Sequence, residues 1–359
     1  MTHNGELALI TSVHVSGFKS LFDLRLDLQP HTVVTGRSGS GKTHLLEAVT
    51  LVQRALAWGI DEALGYSTRY APDTLLHRTS SGHQIETAGI RIEGTVSRPS
   101  DAFPGGPDGS PNLTIQLVIR RTGHTIGLDR QYSTISAQHH GPGGQLAPTT
   151  ISLEDADTPL AKLAFDLVSG FDLDAADPDV PGNSLGLANR LHWMSGHDHT
   201  VLRAHVAALV ADAMDIRASE GPVSHPEILI RNVGWLPLAA LSRFERTATA
   251  ALIIGAADGS VCVDDLAASG SPERALALHH RLSHLCAGGR YLATTSSAHV
   301  ASELVSAQTP LVHLDAATRG GGGLEAARSV HARPVRERQL TEDCGDVASP
   351  RAVVRTLSR

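Results

Sequence analysis

The chain has 359 residues, 41% of them hydrophobic, and carries 30 Lys and Arg against 37 Asp and Glu for a formal net charge of −7. That length admits two or three packed units, and the acidic balance argues against a strongly basic nucleic-acid binder while leaving a local basic face open. No apolar run reaches the roughly 18 residues that cross a bilayer, the start MTHNGELALITSV lacks the basic flank and apolar core of a leader, and Cys262, Cys286 and Cys344 show no metal-ligand spacing, which together suggest a reducing cytoplasm and no disulfide framework.

Residues 7–28 read as two strand runs around a Gly-Phe break, the second alternating Leu24, Leu26 and Leu28 with Asp23, Arg25 and Asp27, the pattern of a half-buried antiparallel strand. A short strand at Val33–Val34, a glycine-rich turn and a helix over 42–57 follow. QIETAGIRIEGTVS, LTIQLVIRR and HTIGLDRQYSTIS are strand candidates, with a loop at 98–112 between the first two and another at 137–148 after the third. From 159 to 218 the pattern is helical; EILIR is a strand and 237–257 a helix. SVCVDDL is a buried strand ending in two aspartates, PERALALHHRLSHL a helix, RYLATTSS a strand, AHVASELV a helix and PLVHL the last strand. Past it, GGGG and an Arg-rich stretch (Arg328, Arg333, Arg336, Arg338) suggest a flexible C-terminus.

Two stretches carry chemistry. GRSGSGKT fits G-x-x-x-x-G-K-[ST] from Gly36 to Thr43, a turn whose glycines aim backbone N–H groups at phosphate oxygens ahead of a helix N-terminus. Lys42 would reach the β- and γ-phosphates and the Thr43 hydroxyl would bind Mg²⁺. Only three lysines occur, at 19, 42 and 162, so one of them stands where the loop requires it. Some 200 residues on, VCVDDL delivers two acids: Asp264 would hold Mg²⁺, and Asp265 would orient the attacking water. Twenty histidines, including His197, His199 and the pairs at 139–140 and 279–280, show no metal-binding spacing and read as surface residues.

The opening stretch, ITSVHVSGFKSLFDLRLDLQPHTVVTGRSGSGKTHLLEAVTLV, resembles the start of the RecF/SMC/OLD class of ABC-type AAA ATPases, including LLEA at Leu45–Ala48. It departs at Ser38 and His44, where the class usually has Asn. The resemblance covers about residues 8–56 and 227–314. It implies an α/β P-loop NTPase with an ABC-ATPase-like head of mixed sheet. The head halves would be 1–83 and 221–316, around an inserted antiparallel-strand and helical lobe at 84–220, with a flexible tail at 317–359. It implies ATP with Mg²⁺ as cofactors, the nucleotide being held by Gly36, Arg37, Ser38, Gly39, Ser40, Gly41, Lys42, Thr43 and His44. LSRFE at 241–245 stands where the class has LSxGE. Ser242, with Glu245, would then meet the γ-phosphate held by a second subunit, although Phe244 replaces the class glycine. Ser296 falls on the switch strand, where relatives often carry a histidine. Lys42 and Asp265 would be the catalytic pair.

The expected partners are an ATP-dependent second copy or another protein, with DNA open and no membrane. The expected role is ATP hydrolysis that switches association in DNA repair or phage defence. The alternative is an ATP-holding module with little hydrolysis, favoured by Asp265 for the usual Glu, by Phe244 and by the missing histidine. A transporter ATPase ranks below both, because neither LSGGQ nor a clear Q-loop is evident; Gln84 and Gln131 are the candidates for the latter.

Overall fold

The computed structural model describes residues 7–65, 68–79, 82–97, 111–138, 140–141, 144–145, 149–155, 158–176, 183–220, 223–268, 270–286, 290–307, 309–318 and 328–334. Its chain forms two compact units, one of residues 5–30, 34–169 and 310–359 and the other of 1–4, 31–33 and 170–309. The stretch 84–220, expected as one inserted lobe, is therefore shared between them, with the division after Ser169.

The first unit starts with a hairpin of β1 (Leu7–Phe18) and β2 (Leu21–Asp27), in which Val13 faces Leu26, Val15 faces Leu24 and Phe18 faces Leu21. The expected alternation is present: Leu24 and Leu26 are buried, and Asp23, Arg25 and Asp27 are exposed. β3 (Thr32–Thr35) is buried at all four positions and leads to α1 (Lys42–Trp58), α2 (Ile60–Gly65) and α3 (Pro72–Leu75). β4 (Thr87–Ser97), β5 (Asn112–Thr122), β6 (Thr125–Leu128) and β7 (Thr134–Gln138) come next. A two-residue ladder of β8 (His140–Gly141) and β9 (Gly144–Gln145) precedes β10 (Thr149–Ser152). Seven of these strands make one antiparallel sheet in the order β10-β7-β5-β4-β1-β2, with β6 on β5. α4 (Pro159–Val168) lies on this sheet and against α1. Its approach needs Gly94, where a Cβ would stand 2.6 Å from a Leu167 methyl and 2.4 Å from the Leu9 carbonyl.

In the second unit α5 (Asn183–Trp193) and α6 (Gly196–Ala207) precede an antiparallel sheet of β11 (Ala213–Ala218), β12 (Pro226–Ile230) and β13 (Gly234–Pro237). Then come α7 (Arg243–Asp258), β14 (Ser260–Val263), α8 (Pro272–Leu285), β15 (Arg290–Thr295) and α9 (Ala298–Ser306), with β14 and β15 parallel. Every residue of α7 from Ala248 to Gly255 is buried. It is surrounded by α5, α6, α8 and β14.

Several expectations change. The helical reading through 218 fails after Ala207: Asp212 adopts a left-handed φ of 57° and AMDIRA pairs as β11, since a short polar side chain tolerates a conformation that ends a helix. The helix read over 237–257 begins only at Arg243: Pro237 closes the strand that pairs with β12, Leu238–Ala240 form a single 3-10 turn, and Ser242 is the N-cap. β16 (Leu311–Thr318) pairs antiparallel with β17 (Arg328–Pro334), so part of the expected tail is a strand. The loop at 98–110, His139, the glycines at 320–323 and the tail at 335–359 lie outside the described residues.

His279, expected on the surface, is 3% exposed. Its ring lies 5.6 Å from those of Tyr291 and His280, and Nε2 meets Thr309 Oγ1 at 3.2 Å. Burial, reinforced by the charges of His280 and His31, pulls its pKa from 6.5 to about 4. Neutral His279 therefore contributes its full stabilisation above pH 6.5, and this is lost as pH falls toward 4, a difference of about 3 kcal/mol at the acid end. His279→Gln, which keeps a polar group and cannot titrate, should show a flatter decline in urea midpoint between pH 7 and pH 4.5 than the parent protein.

Candidate functional site

In the first unit β3 delivers the chain to the turn at Gly36–Gly41. Gly36 has φ 151°, and a Cβ there would stand 2.6 Å from both the Leu314 carbonyl and Ser40 Oγ. Any other residue would displace the turn. Gly41, at φ 95°, is the N-cap of α1; no side chain caps the helix and no acid occupies its first turn. The positive end of a 17-residue helix thus faces the loop with no carboxylate of its own to offset it. Ser40 Oγ is buried and has no protein partner among the described residues. Lys42 is 8% exposed and folds back over the loop, its Nζ donating to the carbonyls of Gly36 at 2.7 Å and Arg37 at 2.9 Å. Arg37, Ser38 and Gly39 are exposed, and Thr43 is half-buried at the start of α1. Glycines of positive φ at 36, 39 and 41, an uncapped helix end and a lysine ammonium make a donor set that fits a phosphate chain.

The first two turns of α1 are fastened to the β1–β2 turn. Glu47, of the LLEA stretch, is buried and takes Lys19 Nζ at 2.5 Å and Arg69 Nη1 at 3.2 Å. Lys19 itself sits at φ 50°. His44 Nδ1 meets Ser20 Oγ at 2.6 Å. The sequence reading gave Glu47, Lys19 and Ser20 no role; what ties them is a side-chain contact across 24 to 28 residues of chain.

The second unit holds the acidic strand end. β14 is buried at all four positions and ends at Val263, immediately before Asp264. Burial pushes the Cys262 thiol well up, and the charge of Asp264 adds to the effect. On the neighbouring β15, Thr294 is wholly buried; its hydroxyl donates to Asp264 Oδ1 at 2.7 Å and accepts the Asp265 N–H at 2.8 Å. Asp265 has φ 49°. Its carboxylate takes the Ser296 hydroxyl at 3.1 Å and the amides of Ser296 and Ala267 at 3.4 Å. The structure thus brings Asp264, Asp265 and Ser296 together, and adds Thr294, which the motif reading passed over.

Ser242 is the N-cap of α7 in a reciprocal capping box: its Oγ donates to Glu245 Oε2 at 2.7 Å and accepts the Glu245 N–H at 3.4 Å. Glu245 also receives Arg274 from α8 at 3.0 Å. Burial works to raise the Glu245 carboxyl, but the bonds from Ser242 and Arg274 outweigh it and hold it below the usual range. Phe244, where the resembled class has glycine, is only 3% exposed. Its ring lies under the Arg274 guanidinium at 4.5 Å and against Gly270, where a Cβ would fall 2.4 Å from the ring. The ring that replaces the glycine is therefore tucked inward, and Ser242 stays exposed. Among the described residues no group of His, Cys, Asp and Glu is placed to hold a metal on its own. His199 Nε2 meets the Ile216 carbonyl at 2.7 Å.

No protein-family model matches the chain, and no curated protein does. Solved structures do. An SMC head bound to the C-terminal winged-helix domain of ScpA is similar with a TM-score of 0.60 and 13% identity, over 92% of this chain and 99% of that one. An SMC head domain with an extended coiled coil, bound to the C-terminal domain of ScpA and derived from Pyrococcus furiosus, is similar with a TM-score of 0.57 and 11% identity, over 93% of this chain and 98% of that one. The chain thus has the fold of an SMC head domain.

The inward ring at Phe244 depends on Gly270. Gly270→Ala should cost about 1–3 kcal/mol by forcing the ring aside. The cost should shrink in a Phe244→Leu background, as read from urea unfolding of the four proteins in a double-mutant cycle.

Proposed function

We propose that the chain binds Mg-ATP and hydrolyses it, and that the nucleotide controls its association with a second copy or with a partner protein. The observation that carries this is the loop: Lys42 arched over three glycines of positive φ, of which Gly36 has no room for a Cβ, at a helix end that no side chain caps. In this reading the amides of Gly36–Thr43 and the Lys42 ammonium bind the β- and γ-phosphates. Thr43 and Asp264 hold Mg²⁺, which neutralises phosphate charge when bound. Asp265 orients the attacking water, and Ser296 donates to the γ-phosphate. Catalysis is then positioning and charge neutralisation. Ser242, exposed at the start of α7, is offered to a nucleotide held by another copy.

Within the RecF/SMC/OLD class the narrower reading is a RecF-like head, supported by the opening stretch, whose Lys19 and Glu47 are paired. A role on DNA, in repair or defence, has thinner support. Arg91, Arg120, Arg130 and Arg217 are each paired with an acid, at 2.6 to 3.0 Å. No described helix is long and apolar enough to cross a membrane.

One observation favours the slower alternative, a nucleotide sensor that hydrolyses little. The Asp265 carboxylate is occupied by Ser296 and the Ala267 amide, and aspartate reaches one methylene less far than glutamate.

Turnover by the purified protein, with and without DNA ends, should exceed that of Lys42→Ala by about 100-fold, the scale of losing one principal charge donor. Equal rates overturn hydrolysis. If the parent binds ATP but turns over near that control and Asp265→Glu raises kcat, the sensor reading takes its place.

A further inference from the structure

We propose that Thr294 is a positioning residue of the acidic strand end, and that its single hydroxyl sets how tightly the chain holds a divalent cation. The proposal rests on the Mg-ATP reading above.

A threonine hydroxyl has one proton to give and lone pairs to receive. Here the proton goes to Asp264 Oδ1 at 2.7 Å, and a lone pair takes the Asp265 N–H at 2.8 Å. One oxygen therefore fixes the side chain of one acid and the backbone of the next. Register makes this possible. β14 and β15 are parallel, with Val263 opposite Ala293, so the next residue on each strand is Asp264 and Thr294. Thr294 is wholly buried, so water cannot readily take over either bond. Its β-branch restricts χ1, which keeps the hydroxyl aimed.

The Asp265 bond has a second use. Asp265 is one of five described non-glycine residues with positive φ, a conformation that needs support from its surroundings. The Thr294 hydroxyl supplies part of it, and the Thr294 carbonyl accepts the next amide, Leu266 N–H, at 2.8 Å. With the turn fixed in this way, Asp265 meets Ser296. Thr294 touches neither phosphate nor metal in this account. It acts through the two aspartates, as groups behind a metal ligand do when they set its orientation.

The test uses full-length protein and the variants Thr294→Val, which keeps shape and removes the hydroxyl, and Thr294→Ser, which restores it. Binding of a fluorescent ATP analogue is titrated with Mg²⁺ and compared with binding in EDTA. Amide exchange of the 261–268 segment is followed without nucleotide. Thr294→Val should raise the Mg²⁺ needed for half-maximal effect by about 10-fold, the usual scale for losing a group behind a ligand. Its binding in EDTA should stay within about twofold, since the P-loop contacts are intact. Exchange at Asp265 should quicken. Thr294→Ser should return both readouts toward the parent. If Thr294→Val quickens exchange but leaves the Mg²⁺ requirement unchanged, the residue is a structural support only and the proposal is overturned. If the parent itself shows no Mg²⁺-dependent nucleotide binding, the Mg-ATP reading falls and takes the metal role of Thr294 with it.

Discussion

A phosphate loop keeps its shape only if the helix behind it cannot move, and here that helix is held by a buried carboxylate. Glu47 is 4% exposed and paired with Lys19, itself almost as buried, at 2.5 Å. Removing Glu47 would leave the buried Lys19 ammonium without its carboxylate, at a cost of about 3–5 kcal/mol. The pair also determines direction. Lys19 lies in the turn of the first hairpin, so the sheet edge dictates where α1 points, and α1 dictates where its N–H groups and Lys42 stand. His44 against Ser20 adds a second fastening one turn earlier on the helix. Two points fix an axis, which one could not.

The acidic end is built by a different means. A buried hydroxyl and a left-handed backbone residue do the positioning. The same economy recurs at the start of α7. The resembled class has glycine at the position of Phe244. This chain carries phenylalanine and accommodates it by turning the ring inward against Gly270 and under Arg274. The exposed surface at Ser242 is preserved, which a comparison of single positions would not show.

What could be read from sequence was what depends on local backbone chemistry. GRSGSGKT, the alternation of β2 and the span of α8 all follow from spacing within one element, and each appears where it was expected. What could not be read depended on tertiary partners. Whether LVADAMDIRA continues a helix is decided by β12, which offers β11 a ladder, and by Asp212, which tolerates a left-handed φ. The start of α7 was missed because WLPLAAL is apolar enough to resemble helix, while the true signal was the Ser242–Glu245 box downstream. Histidine is half-polar by composition, so nothing in the stretch ALHHRL says which of its two histidines is buried; the answer is the neighbouring Tyr291. Thr294 was invisible for the same reason. It is an ordinary strand threonine until β14 is laid beside it.

The remaining tension is over one hydroxyl proton. Ser296 now donates to Asp265, and in the proposed reaction it donates to a γ-phosphate. It cannot do both with a single proton. Phosphate is the more highly charged acceptor and the stronger partner for a hydroxyl, so nucleotide would draw Ser296 away. Asp265 would then keep only backbone donors at 3.4 Å, including the Ala267 amide. A carboxylate released in this way becomes available to orient water at the moment that nucleotide arrives, and remains tied when it does not. A glutamate, one methylene longer, would reach past this tether and would be less dependent on Ser296. On this argument the shorter acid and the serine at the switch position form a matched pair, in which the missing histidine and the missing glutamate are two sides of one substitution.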